Sequence, residues 1–245
     1  MNKIFLTVLF FLVTTSIYSQ SNELISPKRE RGADYTLYES QIEKSALTKS
    51  AMNSAIFYDE EKLPEAIKWE SHKILTERFE SIRDERFLIW SAHPNEKRRT
   101  PWFYPDDGCY ARAALSMRNM ARSNIPLANK VFAFGNLEVQ TENSPDGDVG
   151  WWYHVAPLVE VNGVKYVIDP SIEFDRPLTL KEWLGKMGPP EKIKVAICAS
   201  GTYNPGDKCD RISDGVETFS EKLIETNFLK SEWDRMVKLG RESEL

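Results

Sequence analysis

Residues 151–170 read WWYHVAPLVEVNGVKYVIDP, and this stretch decides the fold. Asn162-Gly163 lies between two alternating segments, at about 152–161 and 164–169. An Asn-Gly pair in that setting is the strongest short-range signal for an antiparallel hairpin, because both residues accept the positive φ of a tight turn. With those two as the turn, Val161 faces Val164, Glu160 faces Lys165 as an opposite-charge pair, and Leu158 faces Val167. Asp169 then faces Ala156, two residues from His154, so His154 and Asp169 become diagonal neighbours on one face. Val155, Val159, Val161, Val164, Tyr166 and Ile168 fall on the other face and read as core. Pro157 is the weak joint: it has no N–H for a ladder, and a bulge between residue 156 and the turn would reverse the parity. Spacing alone leaves two readings of the pair open. One is a base beside its orienting carboxylate; the other is a strand histidine and a turn cap before Pro170.

Upstream, Val131–Val139 reads as a strand with a bulge at Gly135-Asn136, and Thr141–Gly150 as a loop. Tyr110–Ser123 carries Ala113, Met117, Met120 and Ala121 at helical spacing. Earlier still, Ala66, Ile67, Trp69, Ile74, Leu75, Phe79, Ile82 and Phe87 recur among charges. One or two amphipathic helices are therefore expected over 64–90, with Pro64 as a first helical residue. Lys97–Thr100 reads as an exposed basic loop, with a processing site or a substrate-facing patch as alternatives. Downstream, a helix is expected at Thr179–Met187, a strand at Ile193–Ala199, and mostly helix over Phe219–Leu239. Helices flanking a small antiparallel sheet make an α+β domain. Its span is read as 61–245.

The N-terminus has the layout of a secretory signal: Lys3, an apolar run from Ile4 to Val13 broken by Thr7 alone, then small and polar residues to Ser19. The run is about half of what a membrane-spanning helix needs, so a cut near Ser19/Gln20 and no membrane anchor are expected. Residues 20–60 are polar and charged and read as an extension or short propeptide. Without residues 1–19 the chain carries 31 basic and 37 acidic side chains, a net charge of −6. That balance offers no basic stripe for nucleic acid.

Of the three cysteines, Cys198 and Cys209 flank Gly201 and Asn204-Pro205-Gly206 and are expected to close a disulfide loop. Cys109 is then an unpaired thiol in an exported protein, either an inert buried residue or a nucleophile. It sits where the turn Pro105-Asp106-Asp107-Gly108 enters a helix. A helix start favours a thiolate through its dipole and free N–H groups, whereas Asp106 and Asp107 oppose one. His72 and His93 read as solvated surface residues, and the histidines and cysteines lack zinc-ligand spacing.

Asp107-Gly-Cys-Tyr-Ala-Arg-Ala113, Phe134-Gly-Asn-Leu137, Trp151-Trp-Tyr-His-Val-Ala156 and Ile168-Asp-Pro-Ser171, in this order and spacing, resemble the bacterial protein-glutaminase family. The resemblance is strong over about 100–172 and weaker for the helical stretch at 64–90 and for Leu223-Ile-Glu-Thr-Asn227. It implies a transglutaminase-like, papain-like core with a catalytic Cys109–His154–Asp169 set. The activity implied is deamidation of glutamine side chains through a thioester, without metal or organic cofactor. Trp151 and Tyr153 flank the histidine and are candidates for a substrate-binding wall, with core or edge aromatics as the alternative. The implied partner is a protein or peptide bearing an exposed glutamine, met by a secreted or periplasmic monomer. Fewer cysteines, a different loop at 140–150, divergence after 175 and a short N-terminal segment set this chain apart from the family.

Overall fold

A computed structural model describes residues 49–90, 93–103, 108–141, 147–212, 232–234, 236–238 and 240–241. The signal segment 1–19, the extension as far as residue 48, Pro105-Asp106-Asp107 and most of the helix expected at 219–239 lie outside the described residues. The main sheet has six strands in the order β1 (Ile56–Phe57), β8 (Lys194–Cys198), β4 (Asn129–Gln140), β5 (Asp148–Val161), β6 (Val164–Val167) and β7 (Leu178–Thr179). Every neighbour pair is antiparallel. A separate hairpin pairs β2 (Leu88–Trp90) with β3 (His93–Arg98). The helices are α1 (His72–Asp84), α2 (Cys109–Arg122) and α3 (Leu180–Met187). Among the described residues, no helix is long and apolar enough to cross a membrane.

The β5–β6 hairpin has the register its turn dictates. Val161 pairs with Val164, Glu160 with Lys165 and Leu158 with Val167, across a turn in which Asn162 (φ 52°) and Gly163 (φ 79°) are both left-handed. Pro157 does not break the ladder, because its carbonyl accepts from the N–H of Ile168 at 2.9 Å. The irregularity falls in the β4–β5 pairing instead. The register shifts between Phe134 and Leu137, so that Gly135 and Asn136 together face the single residue Trp152.

Both faces of the sheet are covered. On one face Ala133, Leu137, Ala156, Leu158 and Val167 pack against Leu180, Trp183, Leu184 and Met187 of α3. On the other, Val159, Val161 and Ile168 meet Leu75, Phe79 and Ile82 of α1 and Met117 and Met120 of α2. Phe132, Phe134 and Val155 meet Cys109 and Ala113 at the start of α2. Burying each large apolar side chain contributes about 1.5–3 kcal/mol, so these two layers supply the bulk of the driving force.

Three expectations are corrected. Residues 64–71 are not helical; α1 starts at His72, with the Ser71 side chain accepting from the N–H of Ile74. The reason lies at Trp69, whose N–H donates to the Glu160 carbonyl while Glu160 N–H donates to Ile67, so this segment is spent as an added edge to β5. Lys97 and Arg98 belong to β3, as does His93, and Arg98 is buried with its guanidinium on Glu96 at 2.8 Å. Residues 49–57, from the segment read as an extension, also join the body. Ala51 and Met52 donate to the carbonyls of Asp207 and Pro205, and β1 pairs with β8.

Candidate functional site

Asp169 stands just past β6, at the mouth of the loop that leaves the sheet, and is buried. Its Oδ2 contacts His154 Nε2 at 2.8 Å and accepts from the indole Nε1–H of Trp183 at 2.9 Å. Its Oδ1 accepts from the Ser171 hydroxyl at 2.5 Å and from the Ser171 N–H at 3.2 Å. His154, in β5, is 1 % exposed. Trp151 stacks on the imidazole with centroids 4.8 Å apart and planes at 17°, and Trp183 lies 5.5 Å away at 32°.

Burial is the largest influence on the His154 imidazole and pulls its pKa down. The charge and hydrogen bond of Asp169, with a smaller contribution from Cys109, outweigh it and raise the pKa to about 9. For Asp169, burial again acts first and pushes upward. His154, Ser171 and Trp183 reverse it and hold the carboxyl at about 2. The pair is therefore imidazolium and carboxylate at neutral pH.

Cys109 is a free, buried thiol and the first residue of α2. Gly108 before it has φ 81°, a left-handed backbone that suits glycine. No side chain caps α2, and an α-helix has no internal acceptors for its first N–H groups. Cys109 is near enough to raise the imidazole pKa, in part as a hydrogen-bonding group. His154 Nδ1 nevertheless makes no hydrogen bond of ordinary geometry. The contact with Cys109 is therefore longer or more off-axis than an ordinary hydrogen bond.

The structure thus brings His154 and Asp169 into direct contact and sets Cys109 beside the ring. It separates Trp151 from Tyr153. Trp151 is buried on the α3 side against the histidine, whereas Tyr153 and its neighbour Trp152 are half-buried against the cluster around Cys109. His72 is exposed at the start of α1, in edge contact with Tyr166.

Three features were missed from sequence. Ser171 and Trp183 saturate Asp169; the Asp-Pro-Ser run held the first in plain view, but the second required the fold. A buried ion pair joins Arg112, one turn past Cys109, to Glu232, with Nη1 on Oε1 at 2.9 Å. Beside Cys109, Tyr110 packs edge-on to Tyr203, which lies inside the loop closed by the Cys198–Cys209 disulfide.

The sequence model of the Glutaminase family matches residues 75–187, from within α1 to the end of α3, and so takes in Cys109, His154 and Asp169. This segment matches the glutaminase family. A crystal structure of a mutant pro-protein-glutaminase aligns at TM-score 0.51 and 23 % identity, over 76 % of this chain and 66 % of that one. That likeness is one of fold. The crystal structure of a protein-glutaminase aligns at TM-score 0.49 and 22 % identity, over 68 % and 90 % of the two chains. The solution structure of the protein-glutaminase from Chryseobacterium proteolyticum aligns at 0.46 and 23 %, over 69 % and 88 %. No curated protein matches the sequence. The glutaminase segment holds all of α2, β4, β5, β6 and α3; β8 and the disulfide loop lie beyond it.

Proposed function

We propose that the chain is an exported protein-glutamine glutaminase, a hydrolase that converts glutamine side chains of proteins or peptides to glutamate and ammonia. The observation that carries this reading is the buried His154–Asp169 hydrogen bond beside a free thiol, all within the family-matched segment. The disulfide fits an oxidising compartment and supports export.

Cys109 is the nucleophile, His154 the acid and base, and Asp169 the orienter. The thiolate of Cys109, with its proton held on His154 Nδ1, attacks the side-chain carbonyl carbon of glutamine. Backbone N–H groups at the start of α2 hold the developing oxyanion. The C–N bond breaks as the imidazolium gives its proton to the departing amine, leaving ammonia and a thioester. Water then attacks the thioester while the neutral ring takes its proton. The C–S bond breaks, and glutamate leaves with the thiol restored. Asp169 keeps Nε2 protonated throughout, so Nδ1 is the nitrogen that exchanges the proton. Half-buried Trp152 and Tyr153, in the cluster that holds Cys109, form an aromatic wall for the substrate.

The test is incubation of residues 20–245 with a glutamine-containing protein. Ammonia release and a mass gain of about one dalton per converted side chain are expected, because an amide becomes an acid. Both should vanish in a folded Cys109→Ala variant. Crosslinked product would favour a transglutaminase, and cleaved backbone a peptidase. Ammonia release that survives the substitution would mean Cys109 is not the nucleophile.

A further inference from the structure

We infer that Trp183 is a positioning residue for the proposed reaction, fixing the Asp169 carboxylate and the His154 ring together so that Nδ1 is the nitrogen left for Cys109. The inference rests on the functional reading above and goes beyond its three residues. Trp183 is fully buried in the apolar layer between α3 and the sheet, and a core tryptophan there needs only volume. A buried indole N–H must also find an acceptor. Here it donates to Asp169 Oδ2, the same oxygen that contacts His154 Nε2. With Ser171 Oγ and N on Oδ1, the carboxylate meets four hydrogen-bonding groups, about as many as its two oxygens can accept. It cannot turn or exchange oxygens without stranding a buried donor.

The same indole also lies against the imidazole. Trp151 lies 4.8 Å from the ring and Trp183 lies 5.5 Å from it, at tilts of 17° and 32°. The ring is thus confined by two indoles, one of which also grips its partner carboxylate. Helix α3 sets that indole in place. Thr179 caps the helix with a reciprocal capping box to Glu182, and Arg176 ties Glu182 at 3.1 Å, so the turn that carries Trp183 is fixed from its start.

Trp183→Phe keeps an aromatic ring and removes the N–H. It should lower kcat about 10- to 100-fold with KM within about two-fold, the size of losing a hydrogen bond to a charged group. The His154 ring N–H resonance in the proton NMR spectrum should shift or broaden as its carboxylate loosens. Leu184→Ala on the same helix is the packing control. It should lower the melting temperature at least as much yet hold kcat. Wild-type kcat in folded Trp183→Phe, or an equal kcat loss in Leu184→Ala, would overturn the inference. If Trp183→Phe does not fold, Ser171→Ala decides: a several-fold fall in kcat at unchanged KM supports a carboxylate held by its donors, and unchanged kcat overturns it. Persistent ammonia release in Cys109→Ala sinks the functional reading instead, and the two failures are told apart by that variant alone.

Discussion

The two ring nitrogens of His154 sit in opposite surroundings. Nε2 meets a carboxylate that is itself saturated by Ser171 and Trp183, whereas Nδ1 is buried with no hydrogen bond of ordinary geometry. The first side is supported from the α3 face of the sheet. The second opens toward α2, whose start is held by the disulfide loop through Tyr203 and, one turn on, by the Arg112–Glu232 pair. A leftover buried nitrogen would be a cost in a purely structural histidine. On the proposed mechanism, Nε2 is the side of the ring that is held and Nδ1 the side that exchanges a proton with Cys109.

Breaking the satisfied side should have the largest effect. Asp169→Asn is expected to cut kcat by about 10²- to 10⁴-fold, because the ring loses the partner that fixes its tautomer. The same change tests the pH dependence of folding. Asp169 is depressed to about 2, so its contribution is present above the ordinary carboxylate range and is lost as pH falls through about 4 to 2. His154 is raised to about 9, so its contribution is present below about 6.5 and is lost as pH climbs toward 9. Stability followed by denaturant unfolding should therefore slope down at both ends in the parent and flatten at both in Asp169→Asn. A variant that retained both slopes would refute the pairing.

The Cys109 side can be loosened from its two braces. Glu232→Gln removes the charge seated on Arg112 Nη1 and should cost about 3–5 kcal/mol. Arg112→Met combined with Glu232→Leu should recover most of that stability. If the single and double variants unfold alike, the ion pair is not the joint between the C-terminal residues and α2. Replacing Cys198 and Cys209 together by alanine opens a loop with a sequence separation of 11 and should cost about 3 kcal/mol, read as a lower unfolding midpoint. The smallest effect should come from far out on the satisfied side. Thr179→Ala removes the cap of α3 and should cost about 1 kcal/mol in the same assay.

The hairpin was legible because an Asn-Gly turn leaves almost no freedom in register: five residues after Val164, Asp169 has to arrive opposite the neighbourhood of His154. The disulfide was legible from turn formers between two close cysteines. Other features depend on contacts between distant parts of the chain, which periodicity does not encode. Pro64 suits a helix start, but backbone pairing at Ile67 and Trp69 with Glu160 overrides that local preference. Trp183 reads as one more apolar residue of an amphipathic helix, and only the return of α3 over β5 delivers its N–H to Asp169. Arg112 and Glu232, 120 positions apart, give no sign of each other in sequence. Strict alternation would have set Trp151 and Tyr153 together, on the side away from His154. The structure divides them.

That division traces to the extra residue at Gly135-Asn136. An ordinary ladder would deal the four residues Trp151, Trp152, Tyr153 and His154 alternately above and below. The offset instead sends the outer two one way and the inner two the other. On the proposed mechanism, one miscounted step thus sorts four neighbouring rings into two jobs, a bearing around the imidazole and a vestibule beside the sulfur. Neither job could be filled by the same four letters on a perfectly even ribbon.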